Sequence, residues 1–363
     1  MPPDAVLAPP SSAVSKVSLP GSPLGLALRR QRAADRRSLL LMAAVLALVA
    51  VLVPWLANAY WIKTLTSCMA LAVAAAGVAV LYGQLGLVSL CQYALLGVGG
   101  WVALRVSHGL GWPFELCVLA GGLSSLLVGM LAGLPALRMK GLYLALVTLM
   151  MAGGFQVVVG VDGFPDGGPG WLGRVQGSER LMMARPALAG SDAAYFSYVV
   201  LWLAAMLGLI EWHRRSRPGR SWALIRRGTA AATGAGVNIL RYQTWAFGLA
   251  GFCAGVGGAL LAGGVGQLDG RAFGAGESVM MFALAVVGGC YHWLGAILCG
   301  LLLRAAPALL TDYNVNGFIA TIFFGAALLH ALITAPQGVS GQLLAALALL
   351  KHRLAGAARG ESA

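Results

Sequence analysis

The sequence predicts an all-α polytopic membrane protein with about ten transmembrane helices, and three observations carry that prediction. Of 363 residues, 59% are apolar and 10% charged, where a soluble domain has roughly 45–50% apolar and about 25% charged residues. Apolar runs long enough to cross ~30 Å of hydrocarbon recur along almost the whole chain. The basic residues behind the net charge of +13 collect in short segments beside those runs, at Arg29–Arg37, Arg138–Lys140, Arg214–Arg227 and Lys351–Arg359. That pattern is positive-inside topology, and without an aromatic-rich basic stripe it excludes a nucleic-acid groove.

Residues 1–37 are rich in Pro, Ser, Ala and Arg and form no core, so they are expected as a disordered basic cytosolic tail. Arg36–Arg37 and the apolar run ending in Ala57-Asn58-Ala59 resemble a signal peptide with its cleavage site. The run from Ser38 to Ala57 exceeds a usual signal core, which favours an uncleaved first helix. Ten apolar windows follow, at 38–57, 64–82, 86–105, 115–136, 141–160, 195–212, 242–264, 277–290, 293–310 and 316–335. The two windows flanking Cys290-Tyr291-His292-Trp293 read equally as one long helix. Charge parity favours ten crossings over nine, because ten return the 351–363 tail to the side of the Arg29–Arg37 cluster. The transmembrane domain is thus 38–350, with both termini in the cytosol.

Two long polar loops interrupt this domain on opposite sides. The external one, Val161–Ala194, carries Asp162, Asp166, Glu179 and Asp192. The internal one, His213–Arg241, is basic and contains a helix-compatible stretch from Arg220 to Ala235. Long loops on a rigid scaffold are where partners bind. Many of the 51 glycines sit at helix-packing spacing, as Gly129 with Gly133, Gly251 with Gly255, and Gly97, Gly99 and Gly100. The Gly83–Gly86 and Gly288-Gly289 pairs instead mark candidate broken helices of the kind transporters use.

Catalytic constellations are missing. The twelve acids lie in tails, loops or helix ends, which argues against a proton relay and against a paired-carboxylate active site. The five histidines lack HxxxH or HExxH spacing and read as interfacial, solvated residues; no metal or other cofactor is implied. The six cysteines lie in apolar stretches without CxxC pairs and read as small buried hydrophobes. No GxxxxGK[ST] phosphate loop occurs, so any ATP-derived energy must come from another subunit.

The internal loop reads GRSWALIRRGTAAATGAGVNILRY from Gly219 to Tyr242, and it resembles the cytoplasmic coupling segment of branched-chain amino-acid ABC importer permeases, a family that also handles urea and amides. Gly219, Arg220, Ile225, Arg226, Ala231, Ala232, Gly236, Asn238, Arg241 and Tyr242 match that pattern. Tyr82–Trp101, Met139–Leu149, Val286–Leu303 and Ala335–Gly341 are similar to four further family stretches in the same order. The chain departs from the family where acids of the coupling segment give way to Arg227, Gly228, Thr229 and Thr233, and where SLCQYAL brings in Gln92 and Tyr93.

The resemblance implies a BtuC-like (type II importer) permease fold in a bacterial inner membrane, with no catalysis in this chain. Its implied partners are a homologous second permease, cytosolic ABC ATPase subunits, a periplasmic solute-binding protein and membrane lipid. It places ATPase coupling in segment 219–238, with Arg226 reaching a carboxylate of the ATPase and Gly236 ending the helix. Polar pathway candidates are Gln84, Ser89, Gln92, Tyr93, Thr148 and Gln156, each equally readable as a helix–helix hydrogen bond. Branched-chain amino acids, urea, short amides and aromatic acids all stay open as solutes. An ion-coupled secondary transporter is the alternative reading.

Overall fold

The computed structural model describes residues 23–313, apart from 137–138, 140, 162–181, 267 and 269–271, together with 322, 325–326, 329, 333 and 338–346. The described residues are helices and connecting turns, without strands. Two compact units are distinguished, Met1–Leu48 and Val49–Ala363.

Helix α1, Pro23–Leu56, begins inside the stretch expected as a disordered tail. The Leu-, Ala- and Arg-rich sequence from Leu24 to Ala34 explains this, since these are strong helix formers, and extending an existing apolar helix avoids a new nucleation step. The Ala57-Asn58-Ala59 stretch is a turn, in which the Asn58 side chain accepts a bond from Trp61 N at 2.9 Å and caps the next helix.

That helix, α2 (Ala59–Val78), runs into a π-helical turn at Ala79–Leu85 and stops at Gly86, whose φ of 72° favours glycine. An irregular segment follows before α3, Gln92–Leu110. Then come α4 (Phe114–Ala136), α5 (Leu142–Val159) and α6 (Asp192–Arg215). The internal loop folds into α7 (Arg217–Arg227) and α8 (Thr229–Gly234). Helix α9 spans Ile239–Val265 and α10 Ala275–Gly288; α11, Trp293–Gly300, continues through a π-helical turn at Leu301–Ala305 into α12, Ala306–Asp312.

Seven stretches among the described residues are helical, long and apolar enough to cross a membrane. The windows and the helices part company at three places. The window 86–105 assumed helix from Gly86, but α3 starts six residues later and takes in Ser107 and His108 instead, leaving a less apolar helix. Helix α10 has 14 residues, short for a full crossing, and α10 and α11 are separate because Gly289 turns the chain at φ 105°. The tenth window, 316–335, lies almost wholly outside the described residues.

Helix α9 is the axis of the bundle, packed on α4, α3 and α2, with 89% of its most apolar stretch buried. Glycine makes that possible. A Cβ on Gly258 would lie 1.9 Å from the Leu96 carbonyl oxygen, and one on Gly99 would lie 2.2 Å from Gly255 Cα. In lipid, where no hydrophobic force drives apolar helices together, such close backbone approach supplies the dispersion contacts. All six cysteines are free and buried. The exposed apolar side chains Leu123, Leu127, Leu131 and Leu134 form a stripe along α4, suited to hydrocarbon.

Candidate functional site

The internal loop is built as an amphipathic bracket. Ser216 ends α6 in extended backbone, and Pro218 opens α7, where its missing N–H costs nothing. Gly219 lets α7 fold back against α6, since a Cβ there would lie 2.0 Å from the Arg214 carbonyl oxygen. Gly219, Trp222 and Ile225 form the buried face at helical spacing, while Arg220 and Arg226 lie on the exposed one. Trp222 is the anchor: fully buried, it donates from Nε1 to the Tyr242 carbonyl at 2.9 Å and stacks on His213 at 6.5 Å. His213 is therefore a buried stacking partner, not a solvated residue.

The stretch from Arg220 to Ala235 is two helices, because Gly228, in extended backbone, separates α7 from α8. Helix α8 buries Ala232 and exposes Ala231. It closes as a Schellman motif, Val237 N–H bonding to Ala232 O and Gly236 N–H to Thr233 O, both at 2.9 Å. Gly236 takes φ 74°, the left-handed conformation this motif requires. Asn238 then caps α9, its side chain accepting from Arg241 N at 3.0 Å. The Gly-Val-Asn sequence is thus a helix stop followed at once by a helix start.

Arg226, expected to reach a partner's carboxylate, bonds within the chain. Its Nη1 donates to the Gly83 carbonyl and its Nη2 to the Tyr291 hydroxyl at 3.0 Å, with the guanidinium 5.2 Å over the Tyr291 ring. The Gly83 oxygen is accessible because it lies in the last turn of a helix, where carbonyls lack intrahelical donors. Gly83 also abuts the Cys290 carbonyl, and Gly338 abuts Gly289. Thr148 Oγ1 accepts from Leu90 N at 2.9 Å. Described residues of all five sequence stretches therefore pack near the two glycine breaks, Leu144 sharing a buried cluster with Leu81, Leu85 and Ile225, and Arg226 joins the breaks to α7. Nearby, Glu211 pairs with Arg214 at 2.7 Å and Arg215 at 2.6 Å. Burial, then the charge of Arg214, lowers the pKa of His292, against a smaller opposing influence of Glu211; the neutral ring accepts from Leu294 N at 3.3 Å.

The polar pathway candidates separate by role. Gln92 is buried and ties three helices together, its Nε2 donating to Ala74 O at 3.1 Å and Ala250 O at 2.8 Å. Ser89 is buried beside Cys91, 3.4 Å from its sulfur, and Thr148 holds the segment before α3. Gln156 accepts from Ala275 N at 3.0 Å and secures the start of α10. Gln84 is half-buried in the π-helical turn, and Tyr93 lies against Phe273, ring centroids 5.7 Å apart. Gln92, Thr148 and Gln156 thus each bond to the backbone of another segment of the chain.

At the opposite end of the bundle, a cavity of about 330 Å³ is lined by Lys63, Arg185, Asp192, Tyr195 and Gly264 among others. Arg185 pairs with Asp192 at 2.7 Å, lies 4.9 Å over the Tyr195 ring and donates to the carbonyls of Gly263 and Gly264. Lys63 reaches Asp192 at 3.5 Å. Of the external loop, residues 162–181 lie outside the described residues. Sequence reasoning passed over Arg185, Tyr291 and Arg304. Only Arg304 carried a signal, being the one charge in the apolar stretch 293–310.

The family model described as branched-chain amino acid transport system / permease component matches residues 60–332. The high-affinity branched-chain amino acid transport system permease protein LivM of Escherichia coli (strain K12) is 27% identical over 337 residues, covering 88% of this chain and 78% of the relative. Its Salmonella typhimurium counterpart is 27% identical over 323 residues, covering 84% and 75%.

Proposed function

We propose, from the premise that this chain belongs to the family of branched-chain amino acid transport permease components, that it forms half of the pathway of an ABC importer for branched-chain amino acids. A homologous second permease would supply the other half. Two cytosolic ATPases would dock on α7–α8, and a periplasmic binding protein on the end bearing Asp192. The chain would sit in a bacterial inner membrane with both termini cytosolic, in a BtuC-like type II importer fold of about ten spans.

One observation carries the mechanism: Arg226 joins the cytosolic bracket to Gly83 and Tyr291 at the two helix breaks. ATPase closure displaces α7, which the buried Trp222 makes a rigid unit with α9. Arg226 passes the displacement to the ends of α2 and α11, so that the broken helices change their tilt. Such coupling needs an element with two arrangements that nucleotide biases. Interrupted helices supply one.

Reconstituted importers carrying Arg226→Ala or Gly236→Val test this. The first removes the link, and the second forces a β-branched side chain into φ 74°. Both are expected to assemble and hydrolyse ATP while leucine uptake per ATP falls several-fold. Unchanged uptake in both variants would show that the bracket does not transmit motion.

A further inference from the structure

Arg304 is the twelfth residue of the span Trp293–Asp312, about 16 Å from one end and about 12 Å from the other at 1.5 Å per residue. A charge at that depth is expensive unless it faces a polar cavity or a partner. Its neighbours define the direction. Gly300 packs on the backbone of Cys68 in α2 and Ala305 is buried, whereas Arg304 is exposed. Arg304 also lies in the π-helical turn Leu301–Ala305, a distortion that gathers at functional sites.

Helix α10 packs beside α3 and α11 and presents an exposed carboxylate, Glu277, in its first turn. Tyr93, in the first turn of α3, lies against Phe273, two residues before α10, and Phe155 flanks the same ring at 6.3 Å. Helix α10 also packs on the π-helical turn that carries Arg304, and the Cys299 sulfur bonds to Met281 O at 3.5 Å, so about one further turn along each antiparallel helix brings Arg304 level with Glu277. Among the described residues neither Arg304 nor Glu277 has an ion-pair partner. An unneutralised cation, an unneutralised anion, a phenol and aromatic rings thus lie on elements packed against one another.

We propose that Arg304 and Glu277, beside Tyr93, form the recognition station for an amino-acid zwitterion in the pathway wall. Arg304 takes the carboxylate, Glu277 the ammonium, and the rings of Tyr93 and Phe155 the apolar side chain. The assignment rests on the importer reading above. It also accounts for two opposite charges that share one region without pairing, since mutual pairing would exclude the solute.

The test uses the complete importer in proteoliposomes with its binding protein, following L-leucine uptake and leucine-stimulated ATP hydrolysis. Arg304→Gln and Glu277→Gln are expected to lower leucine uptake per ATP by about tenfold, the effect of losing one charged hydrogen bond. Assembly and stimulated hydrolysis should persist, and Arg304→Lys should recover part of the uptake. Unchanged uptake in both neutral variants would overturn the station while leaving the importer reading intact. Loss of assembly or of stimulated hydrolysis in Arg304→Gln would overturn it too, by assigning the guanidinium to subunit packing. So would a defect that vanished in vesicles without anionic lipid. An unmodified complex that hydrolysed ATP but imported no leucine would overturn the substrate reading and the station together.

Discussion

The two ends of the bundle hold an arginine in opposite ways. At one end Arg185 meets the carboxylate of Asp192, which Lys63 also reaches, together with two carbonyls and the Tyr195 ring. At the other end Arg226 meets a single carbonyl, Gly83 O, and the hydroxyl and ring of Tyr291. An arginine held by a carboxylate, two carbonyls and a ring is costly to release, because the carbonyls would be left short of a donor and the carboxylate short of a charge. One held by a neutral carbonyl and a half-exposed phenol can exchange these for water at small cost. The first arrangement suits an end that keeps its shape while receiving a partner. The second suits an end that must move.

Four measurements would break or sharpen this contrast, each read as thermal unfolding of the purified chain or complex in detergent. Trp222→Ala should cost most, about 3–5 kcal/mol, because it empties a fully buried site and removes the bond to Tyr242. A small effect would mean that α7 is not rigidly seated and cannot transmit a push. Arg185→Ala comes next at about 2 kcal/mol, moderated by partial exposure of the pair and by the remaining Lys63. Arg226→Ala should cost about 1 kcal/mol, with its main effect on coupling. If Arg226→Ala destabilised more than Arg185→Ala, the assignment of fixed and movable ends would be reversed.

The smallest effect concerns pH. His292 has its pKa lowered from the ordinary value of 6.5, so the folded chain binds fewer protons there than the unfolded chain at mildly acidic pH. Its contribution is present in full above 6.5 and is lost as pH falls through the folded value. Between about pH 7.5 and about pH 5.5, the unmodified protein should therefore lose slightly more stability than His292→Asn. Asparagine can still accept at the start of α11 but does not titrate. Parallel pH profiles for the two would remove His292 from the account.

Much of this was legible beforehand, and the misses have physical causes. The glycine breaks at Gly83–Gly86 and Gly288-Gly289 were readable because glycine is the residue that turns a chain at positive φ without strain. The Schellman closure at Gly236 was readable for the same reason. The early start of α1 was hidden by a composition that reads as polar tail yet contains strong helix formers. The late start of α3 was hidden because the Leu87–Cys91 stretch is apolar in either conformation.

What the sequence determined by itself is the solvent, the approximate spans, the position of the breaks and the helical character of the segment between α6 and α9. These follow from local quantities: apolar length, charge bias and backbone preference. The tertiary structure alone decided which polar groups serve packing and which remain available. Gln92 finds its acceptors 18 and 158 residues away, and Arg226 finds its partners 143 and 65 residues away. Hydrogen bonds across such separations depend on which helices lie side by side, and apolar helices of similar length and hydropathy give periodicity no means of choosing among neighbours.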